Sequence, residues 1–399
     1  MSSGPRRAVS INEAYDPFAS EVIADPYPSY ARLLDCETPV LLPRYNLWVL
    51  ARHRHVWEGA RAHDRLSSAE GVAYQRMKLP MMLTMDPPDH TRLRKIVARD
   101  FSPRTVESWA RQIEQLAVDA IDPLVGSGRF DYVDAVAGPF PVMVIATVLG
   151  IPPEDHAKFR SWSDAVVEGF RPGRADHEWR ISSVTQPVME LQMYFAGLIE
   201  QRRKRPRDDL VTKLLQPSAD GRLSETELLW FLLLLLVAGN ETTTGLLGNM
   251  LVAFATHPEQ WALLRARPDL VPLAVEEVLR YDAPIQGFFR TATQPCQIGG
   301  ASIPRGARCL LLFGAANRDP ARYPEPDRFL IERNPTDHLA FGAGIHYCLG
   351  AALARLEAAV LLRLLAKRVA VARLTGAPER STNPTLRGFR RLPVELLAV

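Results

Sequence analysis

Along most of this chain the apolar positions recur at helical spacing, and in shorter stretches they alternate. Val106, Trp109, Ile113, Leu116 and Ala117 share one face of a helix predicted over Thr105–Leu124. Pro139–Leu149, His156–Phe170 and Pro187–Arg203 also read as helices, with a charged loop broken by Gly and Pro over Phe170–Asp176. The clearest helix begins at Ser224, whose spacing to Glu227 fits a capping box. It runs into Leu228–Val237, which is apolar on every side and so belongs in the middle of a large core. Pro258 stops it or a short successor, and helices over Glu259–Arg267, Val271–Tyr281 and Leu349–Val369 follow. Val40–Leu50, broken by Pro43, reads as strand–turn–strand. Phe288–Phe313 is β-like, with turns at Gly299–Gly300 and Pro304–Gly306, and Thr382–Leu397 reads as short strands. Asn317–Gly344 is a loop between the β-like stretch and the last long helix. The expectation is a mainly α chain with a smaller β portion, one domain over residues 1–399.

Charge and cysteine usage exclude several classes. With 399 residues and a formal net charge of +3, the chain makes no general case for nucleic acid. Met1–Asn12 is polar, carries Arg6 and Arg7 and leads into no apolar core, so it is not a secretory signal. The longest apolar run, Leu228–Gly239, is too short to cross a bilayer. These features predict a soluble cytoplasmic protein with no membrane partner. Cys36, Cys296, Cys309 and Cys348 lie far apart with no CxxC pair, which indicates neither a disulfide framework nor a zinc site. An isolated cysteine is ordinarily a small buried hydrophobe.

Cys348 has neighbours that change this. Phe341, Gly342, Gly344, His346, Cys348 and Gly350 form a glycine-rich loop that runs into a cysteine just before a helix. N–H groups and the dipole at the helix start favour thiolate over thiol. The glycines let backbone approach something large and flat. The segment matches FxxGxxxCxG at Phe341, Gly344, Cys348 and Gly350, and so resembles the haem-binding signature of the cytochrome P450 family. That resemblance implies haem b with Cys348 as axial thiolate and metal ligand, a thiolate that favours O–O cleavage. Phe341 would shield the sulfur and His346 would reach a propionate. The implied fold is the P450 fold, a triangular helical prism with haem between the long central helix and the helix after the cysteine loop.

Further motifs occur in family order. Glu277 and Arg280 match ExxR and are neighbours on a helix. The segment Tyr323–Phe329 resembles the one that completes this lock, with Arg328 as partner. Ala238, Gly239, Glu241 and Thr242 match the oxygen-activation motif (A/G)Gx(D/E)T. From the residues alone, this stretch reads either as a functional interruption at the end of the apolar helix or as that helix emerging into solvent. The resemblance implies that Thr242 hydrogen-bonds iron-bound O2, that Glu241 relays protons through water, and that Gly239 leaves room. Many bacterial relatives carry Asp where Glu241 stands. His90 and Arg94 match the family's HxxxR helix, and Arg290 its strand arginine. With His346 they would supply donors for two carboxylates.

The resemblance spans Asp25–Pro28 to Thr385–Phe389 and implies a monooxygenase that inserts one atom of O2 into an organic substrate. Expected pocket residues are Met81, Met82, Leu83, Leu234, Val237, Ile285, Phe288 and Phe289, from segments that also include 166–180 and 386–389. The substrate is a small hydrophobic molecule such as a terpenoid, steroid or polyketide; features around Gly287–Arg290 also resemble P450s that oxidise substituted aromatic acids. Electrons would come from a ferredoxin with its reductase, docking on basic residues such as Arg92, Lys95, Arg99, Arg104 and Arg355. A monomer is expected. A peroxide-driven enzyme and a non-catalytic haem protein are the competing readings; neither has a use for Glu241–Thr242.

Overall fold

The computed structural model describes residues 15–170 and 177–399, so the loop expected after Phe170 lies outside the described residues. In chain order, the helices that position the site are α1 (His53–Arg61), α2 (Asp89–Ala98), α3 (Ala110–Ile121), α4 (Pro139–Leu149), α5 (His156–Phe170) and α6 (His177–Lys204). They are followed by α7 (Glu225–Thr256), α8 (Val271–Tyr281) and α9 (Ala351–Arg368). The stretch expected as one helix over Thr105–Leu124 is two, because the chain turns at Ser108–Trp109 between Pro103–Glu107 and α3. Helix α6 starts well before Pro187, which sits inside it rather than at its start. Proline is favoured in the first turn but tolerated later at the cost of one backbone bond, and that preference misplaced the start.

Helix α7 is the axis of the molecule. Ser224 Oγ accepts from the N–H of Glu227 at 3.3 Å, and Glu227 Oε2 accepts from the N–H of Ser224 at 2.8 Å, closing the expected capping box. The helix does not end near Gly239. It runs for 32 residues, about 48 Å at 1.5 Å per residue, and Pro258 opens the next helix. Leu246, Leu247, Met250, Leu251 and Phe254 are buried beyond the polar stretch. Helical stability in a protein comes mainly from packing of this kind, which overrides the poor propensity of Gly, Asn and Thr. By length and composition α7 could cross a membrane, so the sequence-based length argument undercounted it. Most of it is nevertheless buried against α4, α5, α6, α8 and α9.

Among the described residues the largest sheet has five strands: β1 (Val40–Leu42), β2 (Leu47–Leu50), β3 (Leu66–Ser67), β4 (Phe288–Ala292) and β5 (Arg308–Leu311). Their spatial order is β1-β2-β5-β4-β3, with β2 and β5 parallel and the other pairs antiparallel. Phe289 pairs with Leu310, and Arg290 with Cys309. Side chains alternate across a strand, so Phe288 and Arg290 share one face while Phe289 takes the other. A second sheet joins β6 (Val369–Leu374) to β7 (Pro393–Ala398), with Arg129–Asp131 along the far edge of β7.

Candidate functional site

Two clusters of ionisable side chains flank the cysteine loop. The first lies on α8. Arg280 donates from Nε to Glu277 Oε2 at 2.7 Å and from Nη2 to Oε1 at 2.8 Å, with both side chains fully buried. Burying such ions costs several kcal/mol each unless their remaining sites are met. Here they are. Arg280 also donates to the carbonyls of Asn317, Pro326 and Arg328, and Glu277 accepts from the N–H of Leu330 and from Arg333 Nε at 3.2 Å. The pair thus ties α8 to the loop that leads to the cysteine.

The expected third partner, Arg328, is not the one used. Its guanidinium points outward to Glu325 at 2.8 Å, with both side chains mostly exposed. Only its carbonyl joins the cluster. A turn that brings the Arg328 N–H to the Glu325 carbonyl at 3.1 Å faces the side chain away from the core. Arg333 lies beyond Phe329 and Ile331, which are buried, and so comes back over Glu277.

The second cluster has one sign only. His90 and Arg94 project from α2, Arg290 from β4, and His346 from the cysteine loop. The rings of His90 and His346 lie 4.4 Å apart. His346 Nε2 meets Ser68 Oγ at 3.1 Å, whereas His90 Nδ1 is buried with no hydrogen-bond partner. Arg290 is buried and, among the described residues, donates only to the carbonyl of Phe289 at 2.8 Å. Burial, then the Arg308 charge, pulls Arg290 down to about 10. Burial, with Arg94 beside it, holds His90 down at about 4. Burial, then Arg290, His90 and Arg94, carries His346 to about 2. Burial also lowers Arg94. Asp86 acts on the cluster from a distance, held by Ser67 and by the Ser68 N–H at 3.1 Å, but among the described residues no ion pair joins it to any of the four. These groups disfavour one another's charge and fit an anion with more than one carboxylate.

Between the clusters lies the loop itself. Gly344 has φ +70°, and a Cβ there would fall 2.6 Å from the Ala60 carbonyl oxygen of α1, so glycine is required. The Cys348 N–H donates to the Phe341 carbonyl at 2.9 Å. Cys348 is half-buried, and its sulfur accepts from the Gly350 N–H at the start of α9. The expectation that the helix start alone favours thiolate needs correction. Burial raises the thiol, and it outweighs the Gly350 N–H, Arg94 and Arg355. A bound cation would be needed to hold the thiolate.

Across the core, Ala238 is exposed although it lies mid-helix, and Thr242 Oγ1 donates to its carbonyl at 2.7 Å. Because α7 stays buried beyond Thr243, this exposure marks a cleft rather than a helix leaving the core. Glu241 and Gly239 are half-buried on the same turn. Of the expected pocket residues, Met81, Met82 and Leu234 are buried in the large helical cluster, and Leu83 and Val237 pack against it. Ile285 and Phe288 pack beside Phe313. Phe289 is misassigned: it faces the opposite side of the sheet, 5.8 Å from Tyr74, because adjacent strand residues cannot share a face.

The sequence reading also missed Glu276 and His338. Glu276 accepts from Arg355 Nε at 2.6 Å and Nη2 at 2.9 Å, and meets His338 Nε2 at 3.0 Å. Arg355 then stacks over Phe341, 4.5 Å from the ring centre. It is therefore tied down rather than a free docking charge. Arg92 is likewise paired with Glu227. The only advance sign of Glu276 was a second acid beside Glu277. A surface hollow of about 600 Å³ beside the loop is lined by Trp57, Arg61, Ile345 and Tyr347.

Known proteins resemble this chain in sequence and in fold. A family model described as Cytochrome P450 matches residues 264–395. The chain is similar to the beta-dihydromenaquinone-9 omega-hydroxylase of Mycobacterium tuberculosis (strain ATCC 25618 / H37Rv), 39% identical over 95% of this chain and 78% of that one. A solved cytochrome P450 from Chondromyces apiculatus superposes with a TM-score of 0.87 at 36% identity, covering 96% of this chain and 98% of that one. Another, from Bacillus megaterium in complex with corticosterone, gives a TM-score of 0.87 at 30% identity over 94% of this chain and 99% of that one.

Proposed function

Because this chain belongs to the cytochrome P450 family, we propose that its two basic histidines, two arginines and Cys348 hold one haem b, and that it hydroxylates a hydrophobic small molecule. The observation that carries this reading is the cluster of His90 and Arg290, both buried, with Arg94 and His346, both half-buried, which has no ion-pair partner among the described residues and stands beside the loop presenting Cys348. Haem, when bound, supplies the reductive activation of O2 and the oxidation of the substrate's C–H bond. The chain's own residues do the rest. Cys348 ligates the iron, and the four basic groups bind the propionates. Phe341 would shield the sulfur, and the small residues Ala238, Gly342 and Gly350 would leave space for the macrocycle and O2, with Gly239 letting α7 pack closely on α4. Thr242 holds a hydroxyl toward the cleft, and Glu241, one residue before it, takes protons from solvent and passes them on.

Met81, Met82, Leu234, Val237, Ile285 and Phe288 offer the substrate an apolar surface. The relatives named above act on, or bind, a menaquinone and a steroid, which supports a lipid-like substrate of isoprenoid or steroid type. A ferredoxin with its reductase is the electron source we favour. The whole of residues 1–399 then works as one monomeric cytoplasmic domain. The test is to reduce the haem-loaded protein, add carbon monoxide and record the difference spectrum. A Soret band at the thiolate position is expected, followed by a spin-state shift on adding corticosterone or a menaquinone. A band at the imidazole position, or none, would overturn the assignment. Turnover driven by peroxide far better than by ferredoxin would favour a peroxygenase.

A further inference from the structure

A buried asparagine in an otherwise apolar helix calls for a reason. Asn is a poor helix former, and a buried amide is costly unless its donors and acceptor are met. Asn240 of α7 is 6% exposed. Its Nδ2 donates at 2.7 Å to Oγ of Ser163 on α5, itself fully buried, and its Oδ1 accepts from Thr244 Oγ1 at 3.3 Å. One residue earlier, Gly239 lies against α4, where a Cβ would come within 3.2 Å of Ile145 Cδ1. Successive residues of α7 are thus gripped by two different helices. Two residues along a helix correspond to about 200° around its axis. Asn240 is two residues from both Ala238 and Thr242, so it lies on the side of α7 away from the cleft.

We propose that Asn240 is a positioning residue: through Ser163 it fixes the roll of α7 about its axis, and so the aim of Thr242 and Glu241 into the cleft. Apolar side chains tolerate small sliding adjustments with repacking. An amide-to-hydroxyl bond between two buried groups has one geometry, and polar pairs of this kind are best attested as setters of register. The inference rests on the haem reading for what Thr242 faces.

The test uses the haem-loaded, reduced protein with carbon monoxide as probe, in Ser163→Ala, Asn240→Leu and the double variant. Two quantities are read: Tm, and the infrared stretch of bound carbon monoxide, which senses the polar groups beside it. Each single variant leaves a buried polar group unmatched, so Tm falls; removing both lets it recover. A merely structural role would restore the stretch together with Tm. Positioning leaves the stretch shifted or split in the double variant although Tm has recovered. A wild-type stretch in the double variant overturns the inference alone, and a double variant that does not fold overturns it too, since the pair would then serve stability. Absence of the thiolate-position band in the unsubstituted protein overturns the haem reading and this inference with it.

Discussion

The two clusters on either side of the cysteine loop both place arginine out of water and are resolved in opposite ways. Around Glu277 and Arg280 both signs of charge are present, and carbonyls, an N–H and Arg333 complete the set within the chain. His90, Arg94, Arg290 and His346 are all basic, no ion pair joins any of them among the described residues, and His90 Nδ1 has no hydrogen-bond partner. The first cluster is closed and serves the fold. The second is open, which is what the proposed haem site requires. A buried charge therefore signals function only when its counter-charge is missing.

Breaking the closed cluster should have the largest effect. Glu277→Ala leaves Arg280 buried without its carboxylate, a loss of about 3–5 kcal/mol. No folded, haem-binding protein is expected, as judged by circular dichroism and the carbon monoxide spectrum; a stable holoprotein would refute the distinction. Next comes acid. Burial pushes Glu276 up, but hydrogen bonds from His338 and Arg355 outweigh it and hold it at about 2. A depressed carboxyl contributes stability above its unfolded pKa, which is lost as pH falls from about 4.5 toward 2. The contribution is up to about 3 kcal/mol. Glu276→Gln should flatten the acid limb of a stability-against-pH curve; an unchanged limb would assign acid unfolding elsewhere.

The open cluster should respond with opposite signs in apo- and holoprotein. Arg290→Leu removes an unpaired buried cation, so apoprotein Tm should rise or hold. Haem affinity should fall roughly tenfold to a hundredfold, as expected for a charged hydrogen bond of about 1.5–3 kcal/mol. Equal loss in both forms would make Arg290 a structural residue. The smallest effect sharpens the Arg328 correction. Arg328→Ala, on an exposed pair, should cost less than about 1 kcal/mol, and Arg333→Ala measurably more, by denaturant melts.

The parts legible in the sequence were those carried by near neighbours. Ser224 and Glu227 close a capping box because three residues bring them together in any helix. Glu277 and Arg280 meet for the same reason. The start of α6 and the break at Ser108–Trp109 were read less well, because packing overrides propensity at Pro187 and around the turn.

Local spacing and residue chemistry were enough to read the mainly α pattern with its smaller β portion, the capping box at Ser224 and the neighbours Glu277 and Arg280, and the family resemblance pointed to the cysteine loop and the four basic residues; that position 344 must be glycine follows from the Ala60 carbonyl on α1. Packing between distant segments settled that Arg333 rather than Arg328 reaches Glu277, that Phe289 faces Tyr74, that Arg355 belongs to Glu276, and that Asn240 meets Ser163. Each of these depends on the direction a side chain takes from its turn or strand and on what a distant segment places opposite it. Neither quantity is a property of local sequence.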